Sequence, residues 1–77
     1  MNKNNTLERI IKPIKNNSIT RLNLWGDEIG DDGAIAIAEA LKTNTTITYI
    51  NLYDNEIGDE GKNVLEKVEK DNLDIRY

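Results

Sequence analysis

The chain has 77 residues, enough for one domain, with 14 acidic residues against 10 basic ones and a net charge of −4. It contains no Cys and no His, which excludes disulfides, thiolate metal sites, Ser–His–Asp triads, Cys–His pairs and H-E-x-x-H zinc sites. The cations are scattered, with none between Leu22 and Leu41, so the clustered Lys and Arg that displace counterions from phosphates are missing, and neither nucleic acid nor an anionic membrane is an expected partner.

The first 17 residues, MNKNNTLERIIKPIKNN, hold no continuous apolar run and do not read as a signal peptide. No stretch approaches the ~20 apolar residues of a membrane span, so a cytoplasmic protein is expected. Asn4-Asn5-Thr6, Asn16-Asn17-Ser18 and Asn44-Thr45-Thr46 match the N-glycosylation triplet, and without a secretion signal they read as chance. Residues 1–4 are polar and predicted to fray. Asn5, with Glu8 three residues on, predicts a helix start. Leu7, Ile10, Ile11 and Ile14 recur at helical spacing and give it one apolar face. Pro13 lacks an N–H and crowds the carbonyl four residues back, so a kink there or an end near Lys12 is predicted. Asn16 to Ser18 is then a turn.

Residues 19–25, ITRLNLW, alternate as a strand with Leu22 and Leu24 inward and Arg21, Asn23 and Trp25 outward. Gly26 to Gly30 is a loop. Asp31 or Asp32 is predicted to cap a helix running to about Thr43, whose inner face is Ala34, Ile37, Ala38 and Leu41. The order then repeats: a strand near Thr48 to Tyr53, a loop, and a helix from about Asp59 to Lys70. Residues 19–46 and 47–74 align with 11 identities, too many for coincidence in so short a chain. In the second helix Lys62, Glu66 and Glu69 stand where the first has Ala34, Ala38 and Leu41. Such a helix faces less protein, as at the end of an array. Residues 72–77, NLDIRY, begin a third strand, in which a constant 28-residue period matches Ile75 to Ile47 and Tyr77 to Tyr49.

Within each unit the apolar and Asn positions follow L-x-x-L-x-L-x-x-N-x-L. Ile47, Ile50, Leu52, Asn55 and Ile57 fill it once, and Ile19, Leu22, Leu24, Asp27 and Ile29 fill it 28 residues earlier. With N-x-I-G-x-x-G after the strand and an Ala-rich helix ending L-K-T-N-T-T-I, the chain resembles the ribonuclease-inhibitor-type leucine-rich repeats, a class also found in Ran GTPase-activating proteins and NOD-like receptors. The resemblance covers about residues 19–77. It implies an α/β fold: a right-handed leucine-rich-repeat solenoid of parallel strands with helices on the convex side. The expected organisation is one module over 1–77, with a helical half-repeat at 1–18, repeats at 19–46 and 47–74, and the start of a third strand at 75–77. In that pattern the Asn bonds backbone groups of the loop. Asn55 fits this role, whereas Asp27 cannot donate unless protonated, which predicts a looser first loop.

The resemblance also implies a protein-binding scaffold whose partner lies on the concave strand face. The outward residues there are Arg21, Asn23, Trp25, Tyr49, Asn51 and Tyr53, and a 28-residue offset sets Trp25 beside Tyr53. Trp, Tyr and Arg dominate interface hot spots, although cross-strand aromatic packing alone would also account for them. Eight acids, Asp27, Glu28, Asp31, Asp32, Asp54, Glu56, Asp59 and Glu60, fall along the loop edge. Helix capping and solubility account for them, and their spacing does not match the D-x-D-x-D-G calcium loop. No catalytic constellation, cofactor or metal is expected. The alternatives are a structural segment that self-associates through its solenoid ends and, by family analogy alone, a GTPase regulator. An arginine finger would be needed for the latter, and Arg21 is the Arg on the expected face.

Overall fold

Alternation around Leu22, Ile50 and Ile75 produces three short strands, β1 (Arg21–Asn23), β2 (Tyr49–Asn51) and β3 (Asp74–Arg76). The structure, a computed structural model, describes the backbone of residues 3–77 and the side chains of residues 7–77. The strands lie side by side in chain order and are parallel, as expected. Helix α1 (Lys3–Lys15) precedes them, and α2 (Gly30–Leu41) and α3 (Asp59–Val68) run between them. Leu24, Ile50, Leu52 and Ile75 share a single core with Ile10, Ile14, Ile37, Leu41 and Leu65 from the three helices. On the other face of the strands Arg21, Asn23, Asp74 and Arg76 are exposed, so the helices cover one side only. Neither a lone strand nor a lone helix can bury its apolar face, and stacking the units buries both. Parallel strands joined by helices coil right-handed. The result is an α/β repeat solenoid, with α1 packed on α2 and α2 on α3.

Polar groups tie unit to unit as well as apolar ones. Asn55 is 2% exposed. Its Oδ1 accepts from the Ile29 N–H at 3.0 Å, and its Nδ2 donates to the carbonyls of Leu24 at 2.8 Å, Leu52 at 2.9 Å and Tyr53 at 3.1 Å. It therefore holds both its own loop and the loop of the preceding unit. Asn44, also buried, works at the opposite edge: its Nδ2 donates to the Ile14 carbonyl near the end of α1, and its Oδ1 accepts from the N–H groups of Thr46 and Ile47. Helices α2 and α3 pack tightly at Gly61. A Cβ there would lie 3.2 Å from the Cβ of Ala34 and 2.7 Å from Oδ1 of Asp31.

Several local expectations are corrected. The first helix does not end near Lys12; it continues through Pro13 to Lys15. Ile10 and Ile14, buried on either side of Pro13, anchor both halves in the core, and the Pro13 carbonyl accepts from the Ser18 N–H in the turn that follows. Asn5 lies inside this helix, not at its cap, since the helix already includes Lys3. Of the residues expected to fray, 1 and 2 lie outside the described residues. Helices α2 and α3 end two residues earlier than predicted, at Leu41 and Val68.

The acids do not cap their own helices either. Neither α2 nor α3 has a side-chain cap. Asp31 instead reaches across, its Oδ1 accepting from the N–H of Gly58, the residue before α3, at 2.6 Å. Its charge still sits in the first turn of α2, where the helix dipole favours it. The third strand is shifted as well. β1 pairs with β2 at a 28-residue offset, Leu22 with Ile50, but β2 pairs with β3 at 25, Ile50 with Ile75. Ile75 thus matches Ile50, not Ile47. Tyr77, two residues on, follows Ile75 inward and packs partly buried against the core instead of matching outward Tyr49. The cause is a shorter return: α3 stops at Val68, and Lys70 bridges Leu73 in a tight turn that brings the chain back three residues sooner.

Candidate functional site

The outward face of the sheet carries two rows fixed by the pairing register. Arg21, Tyr49 and Asp74 form one row, and Asn23, Asn51 and Arg76 the next. Beyond the strand ends the Gly26 N–H donates to the Tyr53 carbonyl at 3.1 Å, which keeps the first two chains adjacent there. Trp25 and Tyr53 therefore stand side by side above the rows. They are 62% and 46% exposed, the large hydrophobic residues left most open to solvent among those described.

The two asparagines have a local task. Oδ1 of Asn23 accepts from the Trp25 N–H at 3.2 Å, and Oδ1 of Asn51 from the Tyr53 N–H at 3.0 Å. Each closes a turn over its own strand end and thereby aims the following aromatic residue outward. Their sequence positions match, so the same device occurs in both units.

Charge on this face is organised in pairs. The Arg21 guanidinium lies 4.6 Å from the centroid of the Tyr49 ring, a cation–π contact. Nε of Arg76 donates to both carboxylate oxygens of Asp74 at 3.0 Å, and Nη2 lies 2.9 Å from Oδ2. Asp74 holds the Arg76 guanidinium above its ordinary pKa, and the Tyr53 hydroxyl adds to the effect. On the opposite side of β3 the Tyr77 hydroxyl is also raised, first by burial and then by Glu69 and Glu66.

Past the aromatic pair the loops form an acidic edge of Asp27, Glu28, Asp54 and Glu56, all exposed. Glu28, Asp54 and Glu56 have left-handed backbones, with φ of 56°, 61° and 55°. Asp is readily placed there, but Glu is uncommon in that conformation. Among the described residues no three acidic side chains converge in a geometry that would hold a metal ion. A cleft of about 450 Å³ opens on the opposite, helical side between α2 and α3, lined among others by Ile35, Lys42, Val64 and Lys67.

The structure thus brings together all six residues singled out from the sequence: Arg21, Asn23, Trp25, Tyr49, Asn51 and Tyr53. Tyr49 and Asn51 are half-buried and the other four exposed. Sequence reasoning missed Asp74 and Arg76 on the same face, and it counted one Arg there where there are two. The signal was present: with Ile75 inward, its neighbours must point outward. Counting 28 residues instead of 25 hid their places. Asp27, expected to leave the first loop looser, is exposed, and its N–H donates to the Leu24 carbonyl. The Asn of this pattern reaches back to the preceding unit, and before the first strand there is a helix with no such loop to hold.

A family model described as a leucine rich repeat matches residues 15–38 and 43–61, more than half of the chain. No curated protein and no solved structure matches. No helix among the described residues is long and apolar enough to cross a membrane.

Proposed function

Because the chain belongs to the leucine-rich repeat family, whose domains are generally protein-interaction modules, we propose that it binds a protein partner on the concave strand face. The subtype it follows is the ribonuclease-inhibitor type, and residues 1–77 act as one module. The observation that carries the reading is the adjacent, exposed pair Trp25 and Tyr53. Soluble monomers seldom leave contiguous aromatic patches unused. Tyr and Trp also lose little side-chain entropy on docking, having two torsions each. Arg21, Tyr49, Asn51, Asp74 and Arg76 extend the surface, and Asn23 positions Trp25.

The reading is that of a cytoplasmic binding scaffold and not an enzyme: the face is an open sheet, and its Arg side chains are held by Tyr49 and Asp74 on strands, not offered from a loop as a GTPase activator requires. A second reading, stacking through the N-terminal end of the solenoid, has support in Leu22, which is only half-buried where its counterpart Ile50 is fully buried. Sedimentation over a range of concentrations separates the two. The direct test of the first is Trp25→Ala against a captured partner. Binding is expected to weaken by about 2 kcal/mol or more, as for a hot spot, with the helical circular dichroism unchanged. Undiminished binding by this variant places the interface elsewhere.

A further inference from the structure

We infer that the partner presents a basic segment to the Trp25–Tyr53 ledge, an arginine side chain stacking on the Trp25 ring with its charge facing the carboxylates of Asp27, Glu28, Asp54 and Glu56. The inference rests on the concave-face reading and gives that surface its partner chemistry. The aromatic pair makes the surface, and the carboxylates set the sign of what it accepts.

Three observations lead there. First, the face already shows the contact it offers. The Arg21 guanidinium stacks 4.6 Å from the Tyr49 ring centroid, a cation on an aromatic ring of this same face. Trp25 has the strongest π face for a cation, yet it has no such partner among the described residues and stands 62% exposed. Second, the charge beside it is of one sign. The acidic residues Asp27 and Glu28 follow Trp25 at once, and Asp54 and Glu56 follow Tyr53, all exposed, while no Lys or Arg occurs between Leu22 and Leu41 or between Ile50 and Gly61. Like charge across an interface is costly and unlike charge speeds encounter, so an acidic segment is rejected here and a basic one drawn in. Third, the face is polar end to end. Arg21 lies at the far end of β1 from this acidic edge and has no carboxylate partner among the described residues, whereas Arg76 is neutralised by Asp74. A bound segment therefore runs with its basic end over the loops and a neutral or acidic end toward Arg21. Arginine suits the ledge better than lysine because its planar guanidinium stacks and pairs with carboxylates at once.

Trp25 is the chain's single tryptophan, so its emission reports the proposed contact itself. The test titrates the protein with a nine-residue Gly/Ser peptide carrying three arginines and with counterparts bearing Gln or Glu in their place. Two variants accompany the wild type: Asp27→Asn, Glu28→Gln, Asp54→Asn and Glu56→Gln together, and a charge-matched control with Asp59→Asn, Glu60→Gln, Glu66→Gln and Glu69→Gln. Circular dichroism verifies that both fold.

The arginine peptide is expected to change Trp25 emission saturably. Its Kd should weaken at least tenfold in the first variant and less than threefold in the control. Equal weakening in both variants means attraction to net charge alone and overturns the inference. Equal binding of the Gln peptide, still sensed by Trp25, overturns it while leaving the concave-face reading intact. Calorimetric binding of the arginine peptide that leaves Trp25 emission unmoved overturns both the inference and the placement of the site on the ledge.

Discussion

Asn55 is a point where the fold is sensitive to the loss of one side chain. Its Oδ1 accepts from the Ile29 N–H, and its two amide hydrogens are shared among the carbonyls of Leu24, Leu52 and Tyr53, at distances of 2.8 to 3.1 Å and with the residue 2% exposed. A hydrogen bond of this kind contributes about 1 kcal/mol net, and a partner left buried and unpaired costs more. Asn55→Ala is therefore expected to lose about 3 kcal/mol. A domain of this length has a total stability of about 4–12 kcal/mol, so the loss takes a large share. In urea, at about 1 kcal/mol per M, the midpoint followed by circular dichroism should fall by roughly 3 M or the protein should be unfolded from the start.

Asn55→Asp sharpens the test, since it keeps the shape and the acceptor for Ile29 but turns a carboxylate oxygen toward three carbonyls. Burial and those carbonyls raise the folded-state pKa of the new acid above its unfolded value. Its penalty is full above the folded pKa and shrinks as pH falls through it, so this variant should regain stability on mild acidification. Asp27→Ala, at the matching but exposed position, should stay within about 0.5 kcal/mol of wild type. A midpoint for Asn55→Ala within 0.5 M of wild type would refute the assignment of inter-unit cohesion to this amide.

Leu52→Ala, at a side chain 1% exposed, should cost about 2–5 kcal/mol in urea unfolding, and a smaller loss would mean the site collapses around the cavity. Gly61→Ala places a methyl 2.6 Å from Cγ2 of Ile57 and 2.7 Å from Oδ1 of Asp31. The helix gains from Ala, but the overpacking should leave a net loss of about 1–3 kcal/mol, visible as a lower Tm; a raised Tm would show that α2 and α3 can separate freely. The Tyr77 hydroxyl has a raised folded-state pKa, chiefly through burial. Its contribution to stability is full below the unfolded value of about 10 and is lost as pH rises through the folded one. Tyr77→Phe should flatten that part of the alkaline unfolding curve, and an unchanged curve would remove Tyr77 as its source.

Strands and helices were legible because their apolar periods, two and 3.6, survive in each unit: Leu22 and Leu24 in one, Ile37, Ala38 and Leu41 in the other. What the periodicity did not reveal were contacts made across units. An Asp in the first turn of a helix looks the same whether it caps that helix or reaches 27 residues on, as Asp31 does to Gly58. Pro13 reads as a breaker, yet burial of Ile10 and Ile14 overrides it. The shift of β3 was half visible. The apolar stripe of α3 stops at Val68 and Leu73 resumes it, which already implies a short return. The aromatic ledge was legible because alternation alone puts Trp25 and Tyr53 outward, and Asp74 and Arg76 were lost only through the assumed period.

The two faces of the sheet answer to different demands. Inward, the paired positions Leu22, Ile50 and Ile75 are apolar in every unit, because each must fill the same slot against a helix. Outward, the corresponding rows read Arg21, Tyr49, Asp74 and Asn23, Asn51, Arg76, so charge, ring and amide succeed one another with no repeat beyond the Asn pair. That pair is the exception with a structural cause, since each Asn closes the turn after its own strand. Elsewhere on this face the solenoid imposes no residue type. An indole left 62% exposed gains little of the hydrophobic stabilisation that burial would give it. The fold therefore has no need of a Trp at position 25, and its ring is free to contact another molecule.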